Sequence, residues 1–268
     1  MQEEMGLSTV REREPVAYRS KETGRRAYYV AKRVMDVTIA SCLLLALSPL
    51  MFLVGLAIYV YSPGPIFFKQ DRVGAKRITN SGIVAWKPVT FQCYKFRTMR
   101  LNADPSIHQA YIKALIENNQ AQMQAVQNAA TRPRGSVTDE NRIVSENAPT
   151  LPRKLIEDAR VIKPGRIVRK FSLDELPQLW NVLHGDMSLV GPRPAIPYEV
   201  EMYKPWHMRR LEAQPGLSGL QQITARNSVD FDEQVKLDIQ YIENQSIWLD
   251  LKIAIKTPLA IISAKGAM

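Results

Sequence analysis

The stretch VTIASCLLLALSPLMFLVGLAIYVY, residues 37–61, contains no charged side chain. As a straight helix it would be about 37 Å long, which exceeds the roughly 30 Å of a bilayer's hydrocarbon core. A secretory signal is shorter and ends at a small-residue cleavage site, whereas this run continues into the turn-forming residues 62–65, SPGP. The sequence therefore predicts a helix embedded in a membrane.

Ser48 and Pro49 lie at the midpoint of this run. Proline lacks an amide N–H, and its ring crowds the carbonyl of Leu45, so the helix must kink or break there. The Ser48 hydroxyl can donate a hydrogen bond to a carbonyl one turn earlier and satisfy part of the freed backbone. Two interpretations stay open on these residues: a kinked transmembrane helix, or a re-entrant helix-break-helix that returns to the same membrane face.

Basic residues flank the apolar run on both sides. Those before it are Lys32 and Arg33, and those after it are Lys69, Arg72, Lys76 and Arg77. Lysine and arginine prefer the cytoplasmic face of a membrane, so a single crossing would leave one of the two clusters on the unfavourable side. The flanks favour the re-entrant path.

Composition points to an anionic partner in a reducing compartment. The 268 residues are 46% hydrophobic, which is enough for a packed core, and carry a formal net charge of +10. Such an excess favours nucleic acid, anionic lipid or a phosphorylated small molecule. Two cysteines provide no disulfide framework, and three scattered histidines provide no zinc spacing. A metal would have to be a hard cation bound by carboxylates and phosphates.

The chain divides into a polar tail at residues 1–31, a membrane segment at 32–65 and a cytosolic domain at 66–268. Within the domain, Val89–Arg100 alternates and is rich in β-forming residues as far as Lys95, which predicts a strand. An insert at about 101–157 begins with a helical pattern and continues as a loop rich in helix-breaking residues. No chemistry is evident in the insert, so we expect a surface elaboration or a partner contact.

The segment FSLDELPQLWNVLHGDMSLVGPRP, residues 171–194, places Asp174 and Glu175 before an apolar helical face that Gly185 ends, followed by a short strand MSLV. Ser172 and Glu175 fit a capping box, the structural explanation of the carboxylates. A cap does not require the neighbouring arginines Arg166, Arg169 and Arg193. With those cations, the pair also fits a site for phosphates, in which the helix N-terminus keeps Asp174 ionised and Glu175 binds Mg²⁺ on a diphosphate.

The tail from Phe231 to Gly266 is amphipathic and predicted to be helical. Trp248, Leu251 and Ile255, together with nearby lysines, fit a helix at a membrane interface. An ordinary packing helix fits the same pattern equally well, so both interpretations stay open.

Several motifs in order resemble those of the bacterial sugar transferases, which are monotopic phosphoglycosyl transferases. The motifs are K-R-x-x-D from residue 32, the apolar run with Ser-Pro, SPGPIFFKQDRVG from 62, YKFRTM from 94, R-K-x-SLDELPQLWNVLHGDMSLVGPRP from 169, and PGLSG from 215 with a later arginine. The resemblance covers residues 31–100 and about 158–260. It departs from many members at Leu220, where they carry an aromatic residue, and in the length of the insert.

The resemblance implies an α+β fold in a monotopic membrane protein. Its parts would be an N-terminal re-entrant helix-break-helix with the break at Ser48 and Pro49, a small cytosolic α/β catalytic core, and amphipathic interfacial helices. Catalysis is expected at the cytoplasmic face of the bacterial inner membrane, with both termini on that side. The implied reaction moves a sugar 1-phosphate from a UDP-sugar to polyprenyl phosphate and releases UMP.

The resemblance also assigns roles to residues. Asp174 would be the nucleophile that forms an aspartyl-phosphosugar intermediate, and Glu175 would hold Mg²⁺. Phosphate binding falls to Arg169, Arg193, Lys95, Arg97 and Arg226. The expected partners are the donor, the lipid acceptor and the bilayer, without nucleic acid, and a homo-oligomer is left open. The alternative is a basic membrane-tethered protein that binds anionic lipid or nucleic acid without catalysis, in which Asp174→Asn would leave function intact.

Overall fold

The computed structural model describes residues 25–80, 83–131, 158–225 and 229–262. The helices of the described residues are α1 (Arg26–Tyr61), α2 (Ser106–Ile116), α3 (Gln120–Thr131), α4 (Lys163–Lys170), α5 (Gln178–His184), α6 (Pro197–Glu201), α7 (Leu220–Thr224), α8 (Phe231–Glu243) and α9 (Ile247–Ile262). The strands are β1 (Phe67–Asn80), β2 (Ile83–Phe96), β3 (Ser188–Val190) and β4 (Gly216–Ser218), and two 3₁₀ helices span Leu173–Glu175 and Pro205–Leu211. This mixture of helix and strand, with one long apolar N-terminal helix, confirms the α+β class.

Helix α1 contains the whole apolar run and is 36 residues long. Within the described residues it is the one helix whose length and composition suffice to cross a bilayer. The helix continues through Pro49 without the predicted interruption, and the Ser48 hydroxyl donates to the Leu45 carbonyl at 2.8 Å, as predicted. That bond is local support for a backbone from which proline has removed a donor. The re-entrant path itself stays a prediction.

Both ends of α1 pack against the same folded body. Near the N-terminus, Ala40 joins a core formed by α5, β2, β3 and α9, while near the C-terminus Val54 and Ile58 join a second core with Ile162 and Val168. Between these contacts, the side chains of the middle of the helix are largely exposed. An exposed apolar surface on an otherwise well-packed protein is typical of contact with lipid.

Strands β1 and β2 form a long antiparallel hairpin. Phe67 pairs with Phe96 at its base, and Arg77 pairs with Trp86 ten residues further along. Trp86 then packs edge-on against Tyr29 of α1 with ring centroids 5.8 Å apart. The strand prediction at Val89–Lys95 is confirmed, and the strand begins earlier, at Ile83. Sequence reasoning did not identify its partner β1.

The central core lies between α1, the hairpin and a short parallel pair, β3–β4. Asn181 of α5 fixes that helix to the hairpin, because its side chain accepts from the Tyr94 amide at 3.1 Å and donates to the Gln92 carbonyl at 2.7 Å. A buried amide that satisfies two strand groups holds helix and strand in one register. The end of β2 is thereby placed next to the turn before α5.

The insert is part of the core, so its interpretation as a surface elaboration is wrong for the described portion. Tyr111, Ala114 and Leu115 of α2 are buried in a cluster with Phe231 and Val235 of α8. The helices themselves were predicted, but their burial depends on contacts with residues more than a hundred positions later. Residues 132–157, which contain nearly all of the loop predicted at 131–153, lie outside the described residues.

Helix α9 has one buried face and one exposed apolar face. Asp250 and Ile253 are fully buried, whereas Trp248, Ile255 and Leu259 are 83%, 70% and 66% exposed. Positions 248, 255 and 259 lie on one side of a helix. The helix therefore packs on the domain with one face and presents an apolar stripe with the other, which fits the interfacial interpretation of the tail.

Candidate active site

Asp174 and Glu175 lie in a turn between two helices. Ser172 has φ 54, in the left-handed region, and its side chain makes no capping bond, so the predicted capping box is wrong. The 3₁₀ helix Leu173–Glu175 follows, and α5 begins only at Gln178 because Pro177 has no N–H to continue the hydrogen-bond series. Asp174 therefore does not lie in the first turn of α5, and the expected effect of a helix N-terminus on its carboxylate has no structural basis.

Asp174 is buried, and its Oδ1 atom has no hydrogen-bond partner among the described residues. A buried acceptor left in that state costs free energy, so native proteins seldom retain one without a functional reason. The residue lines a cavity of about 500 Å³. An unsatisfied carboxylate facing a cavity is suited to react with, or bind, whatever occupies that space.

The cavity wall is strongly basic. Its cationic side chains are Arg72, Lys95, Arg97, Arg100, Arg160, Arg169 and Arg193, whereas its acidic ones are Asp158, Asp174 and Glu199. Seven cations against three carboxylates, in a partly enclosed space, favour a ligand with several negative charges. These cations offset the negative charge of such a ligand, so the Asp174 carboxylate can approach it with less electrostatic repulsion.

Glu175 lines a different pocket from Asp174. Its Oε1 accepts from Lys95 Nζ at 3.0 Å, and the residue lines a smaller pocket of about 30 Å³ beside the large cavity. Arg72, Lys95 and Arg193 line both pockets and so form the wall between them. The two carboxylates are therefore adjacent in sequence but differ in surroundings, which suits two separate roles.

Arg193 is positioned by a rigid loop. The Gly191 amide donates to the Ser218 carbonyl and the Gly216 amide to the Pro192 carbonyl, both at 2.8 Å, and Arg72 Nη1 donates to the Pro194 carbonyl at 3.0 Å. A Cβ at position 191 would lie 2.3 Å from the Gln214 carbonyl oxygen, so only glycine fits. The loop at residues 191–194, GPRP, thus holds its arginine against both pockets.

Of the five predicted phosphate-binding residues, four line the cavity. Arg169 enters from the last turn of α4, Lys95 and Arg97 from the end of β2, and Arg193 from the loop after β3. Arg226 lies outside the described residues.

Sequence reasoning missed three groups in the cavity wall: Arg72, the pair Asp158–Arg160, and Glu199. Arg160 donates from Nε and Nη2 to the two carboxylate oxygens of Asp158 at 2.9 and 2.7 Å. Burial raises the pKa of Asp158, but these bonds and the charge of Arg160 outweigh it and hold that pKa below its usual value. The spacing Asp-x-Arg just before the arginine-rich helix was the available signal.

The residues fit a magnesium site shared with a substrate. No group of three or more His, Cys, Asp and Glu side chains in the described parts of the chain could hold a metal alone. Magnesium needs less, since it commonly binds one or two carboxylates together with substrate phosphates. The carboxylate of Glu175 supplies hard oxygen donors beside a cavity suited to phosphate.

Comparisons with known proteins identify the family of the chain. Residues 27–264 match the bacterial sugar transferase family. The chain is 37% identical over 238 residues to the exopolysaccharide production protein ExoY of Sinorhizobium fredii, covering 89% of this chain and 88% of that protein. It is 35% identical over 243 residues to the undecaprenyl-phosphate galactose phosphotransferase of Salmonella typhimurium, covering 91% of this chain but 43% of that relative's length.

A third relative is the UDP-glucose:undecaprenyl-phosphate glucose-1-phosphate transferase of Caulobacter vibrioides. The chain is 34% identical to it over 252 residues, which cover 91% of this chain and 74% of that protein. The names of these relatives include two different sugars, galactose and glucose, on the same lipid phosphate.

Proposed function

Because the chain belongs to the bacterial sugar transferase family, we propose that it transfers a sugar 1-phosphate from a UDP-sugar to a polyprenyl phosphate. The products are polyprenyl diphosphate-sugar and UMP. The proposal rests most directly on Asp174, whose buried and unsatisfied carboxylate oxygen faces a cavity lined by seven cations. A nucleotide diphosphate supplies the negative charge that such a wall would bind.

The proposed first step is a displacement at the phosphorus atom that carries the sugar. A carboxylate oxygen of Asp174 attacks that phosphorus. The bond between the phosphorus and the oxygen that bridges the two phosphates breaks, and UMP leaves with the electron pair of that bond. The arginines of the wall offset the charge on the phosphate oxygens as the carboxylate approaches. The result is an aspartyl-phosphosugar on the enzyme.

The second step reuses the same carboxylate as the leaving group. A phosphate oxygen of the lipid attacks the phosphorus of the intermediate, and Asp174 is released as a carboxylate. Glu175 would hold Mg²⁺, whose charge would neutralise part of the charge on the donor diphosphate. Lys95, which donates to Glu175 at 3.0 Å, would keep that side chain turned toward the smaller pocket.

The proposal locates the enzyme at the cytoplasmic face of the bacterial inner membrane, with α1 as a re-entrant anchor. The apolar stripe of α9 and the exposed middle of α1 would lie in the bilayer and press the cavity against the headgroup region, where the acceptor phosphate resides. Both partners then meet in one basic cavity, the donor from the cytosol and the acceptor from the membrane.

The test is UMP release by the purified protein in detergent with Mg²⁺, undecaprenyl phosphate and a panel of UDP-sugars. We expect Asp174→Asn to lower the rate by about three orders of magnitude or more, because the nucleophile is removed. Asp186→Asn, a matched change in the turn after α5, should retain activity. Incubation with donor alone should add the mass of one phosphosugar to the wild-type protein and nothing to Asp174→Asn.

Two results would contradict the proposal. Release of UDP instead of UMP would indicate direct glycosyl transfer to the lipid phosphate. Full activity of Asp174→Asn would remove the nucleophile from the mechanism. The same panel identifies the sugar, which depends on the shape of the pocket.

A further inference from the structure

A second concave surface, here called the α1 groove, lies outside the basic cavity. It is formed by the C-terminal half of α1 and the base of the hairpin, and has a volume of about 310 Å³. The side chains that define it are Phe52, Leu56, Tyr59, Phe67 and Phe96, with Gly55 in the floor. Among the described residues, none that lines it is charged, so its surface suits a hydrocarbon ligand.

The α1 groove adjoins the basic cavity at one residue, since Phe96 lines both. Phe96 stacks on Phe67 with ring centroids 5.4 Å apart, so the aromatic wall continues from the membrane helix to the cavity. The next residue, Arg97, lines the cavity only. A ligand that followed this surface would pass from a fully apolar wall to a guanidinium group within one residue.

Arg97 is fixed at this junction by one hydrogen bond, and two of its other nitrogen atoms have no partner among the described residues. It is 5% exposed, and its Nη2 donates to the carbonyl of Ser62, the residue that follows α1. Its Nε and Nη1 atoms are buried without a hydrogen-bond partner among the described residues. Gly64, at φ 127, leaves room for the guanidinium, because a Cβ there would lie 2.8 Å from Nη1. A buried cation with two donors that lack a partner among the described residues favours an anionic ligand.

Building on the proposed function, we propose that the α1 groove binds the first isoprene units of the acceptor lipid and that Arg97 binds its phosphate. The geometry matches a molecule with a hydrocarbon chain attached directly to a phosphate. The groove is built on the membrane helix, so the chain reaches it from the bilayer without crossing water. Arg169 and Arg193 line the same cavity and would bind the donor diphosphate.

Binding can be tested without turnover, using the full-length protein in detergent and a polyprenyl phosphate that carries a photoreactive diazirine in its first isoprene units. Irradiation should attach the probe to peptides that contain Phe52–Phe67 or Phe96. Leu56→Trp, which fills the α1 groove, should lower that labelling at least fivefold. Leu53→Trp is the matched control, since Leu53 is 60% exposed on the same helix and does not line the groove; it should label like the wild type.

Competition tests the role of Arg97. Unlabelled polyprenyl phosphate should displace the probe from the wild type at least tenfold more effectively than polyprenol, the same chain without phosphate. In Arg97→Gln that advantage should disappear while labelling of the α1 groove persists, because the chain still binds. A purely structural role for Arg97 would lower labelling altogether and leave the preference for phosphate unchanged.

Other results would overturn the inference. Labelling outside the α1 groove, equal labelling of the two tryptophan variants, or equal displacement by a bilayer phospholipid would each show that the acceptor does not bind there. These outcomes are separate from the proposed reaction. Wild-type protein that releases UMP but takes up the probe elsewhere contradicts only this inference, whereas specific labelling without UMP release contradicts only the proposed function.

Discussion

Asp174 and Glu175 are consecutive residues with different surroundings. Asp174 has a buried oxygen that lacks a partner in the part of the chain that the structure describes, beside the large cavity, while Glu175 is paired with Lys95 at the smaller pocket. In a short 3₁₀ turn, neighbouring side chains diverge, so the two carboxylates do not share a single site. This divergence allows one to act as nucleophile and the other to bind a cation.

The metal role of Glu175 leads to a prediction about magnesium dependence. Glu175→Gln keeps the size of the side chain but removes the charge that Mg²⁺ prefers as a ligand. We expect the Mg²⁺ concentration for half-maximal UMP release to rise about tenfold, the equivalent of about 1.4 kcal/mol. Glu201→Gln, an exposed glutamate at the end of α6, is the control and should not shift it. A lower maximal rate with an unchanged Mg²⁺ requirement would assign Glu175 a purely structural role through Lys95.

Among the elements, α1 and α9 are joined by a buried polar cluster. Lys32 Nζ lies 2.8 Å from Asp250 Oδ2, and the Tyr241 hydroxyl donates to Asp250 Oδ1 at 2.7 Å. Tyr28 donates to the same carboxylate at 2.8 Å. Burial and the charge of Asp250 raise the pKa of Tyr241, which therefore stays a neutral donor. The membrane helix is thus fixed to the catalytic domain by a charge pair and not by apolar contact alone.

Breaking that pair should destabilise the protein strongly. Asp250→Asn removes the carboxylate that lies 2.8 Å from the buried Lys32 ammonium, and one-sided loss of a buried pair costs about 3–5 kcal/mol. The measurement is the thermal unfolding midpoint in detergent, with Lys236→Met at an exposed ion pair of α8 as the control that should not change it. The double variant Lys32→Met/Asp250→Leu should recover part of the loss. Equal midpoints for Asp250→Asn and the wild type would contradict this role of the cluster.

Local patterns in the sequence predicted individual helices and strands, whereas tertiary contacts determined how these pack and pair. Gly185 ends α5 with φ 85, and MSLV contains the strand Ser188–Val190, both as predicted. The cap at Ser172 was wrong because Pro177 delays the helix, a competition between two valid local rules. The burial of Tyr111 against α8 and the pairing of β1 depend on distant residues, which no local pattern reveals.

The site residues could likewise be predicted where they lie in one local motif, and could not where they depend on tertiary contacts. Asp174, Glu175, Arg169 and Arg193 were predicted from one contiguous segment and its motifs, and the structure brings them to two adjoining pockets. Arg72 belongs to β1, whose pairing was not predicted, so its place in the wall could not be inferred. The α1 groove was likewise not predicted, because Phe96 reaches it only through the pairing of β2 with β1.

For the whole molecule, the contacts of α1 restrict how it can sit in a bilayer. Ala40 and Val54 are both buried against the same folded body, and 13 residues separate them. A helix of that length extends about 20 Å, which is less than the roughly 30 Å of the hydrocarbon core. The body would have to lie on both sides of the membrane if α1 crossed it between these contacts. The apolar stripe of α9 adds a second surface for one leaflet.

This arrangement predicts that both flanks of the apolar run are reached from the same side. Cysteines introduced at Ala27 and Lys69, both exposed, should react with a membrane-impermeant maleimide in inverted membrane vesicles and not in intact spheroplasts. The native Cys42 serves as an internal control, because it is exposed on α1 but should be shielded by lipid until the membrane is dissolved. Cys93 is buried and should react only after unfolding. Labelling of the two introduced cysteines from opposite sides would establish a crossing helix and remove the structural reason for the acceptor phosphate and the cavity to share one face.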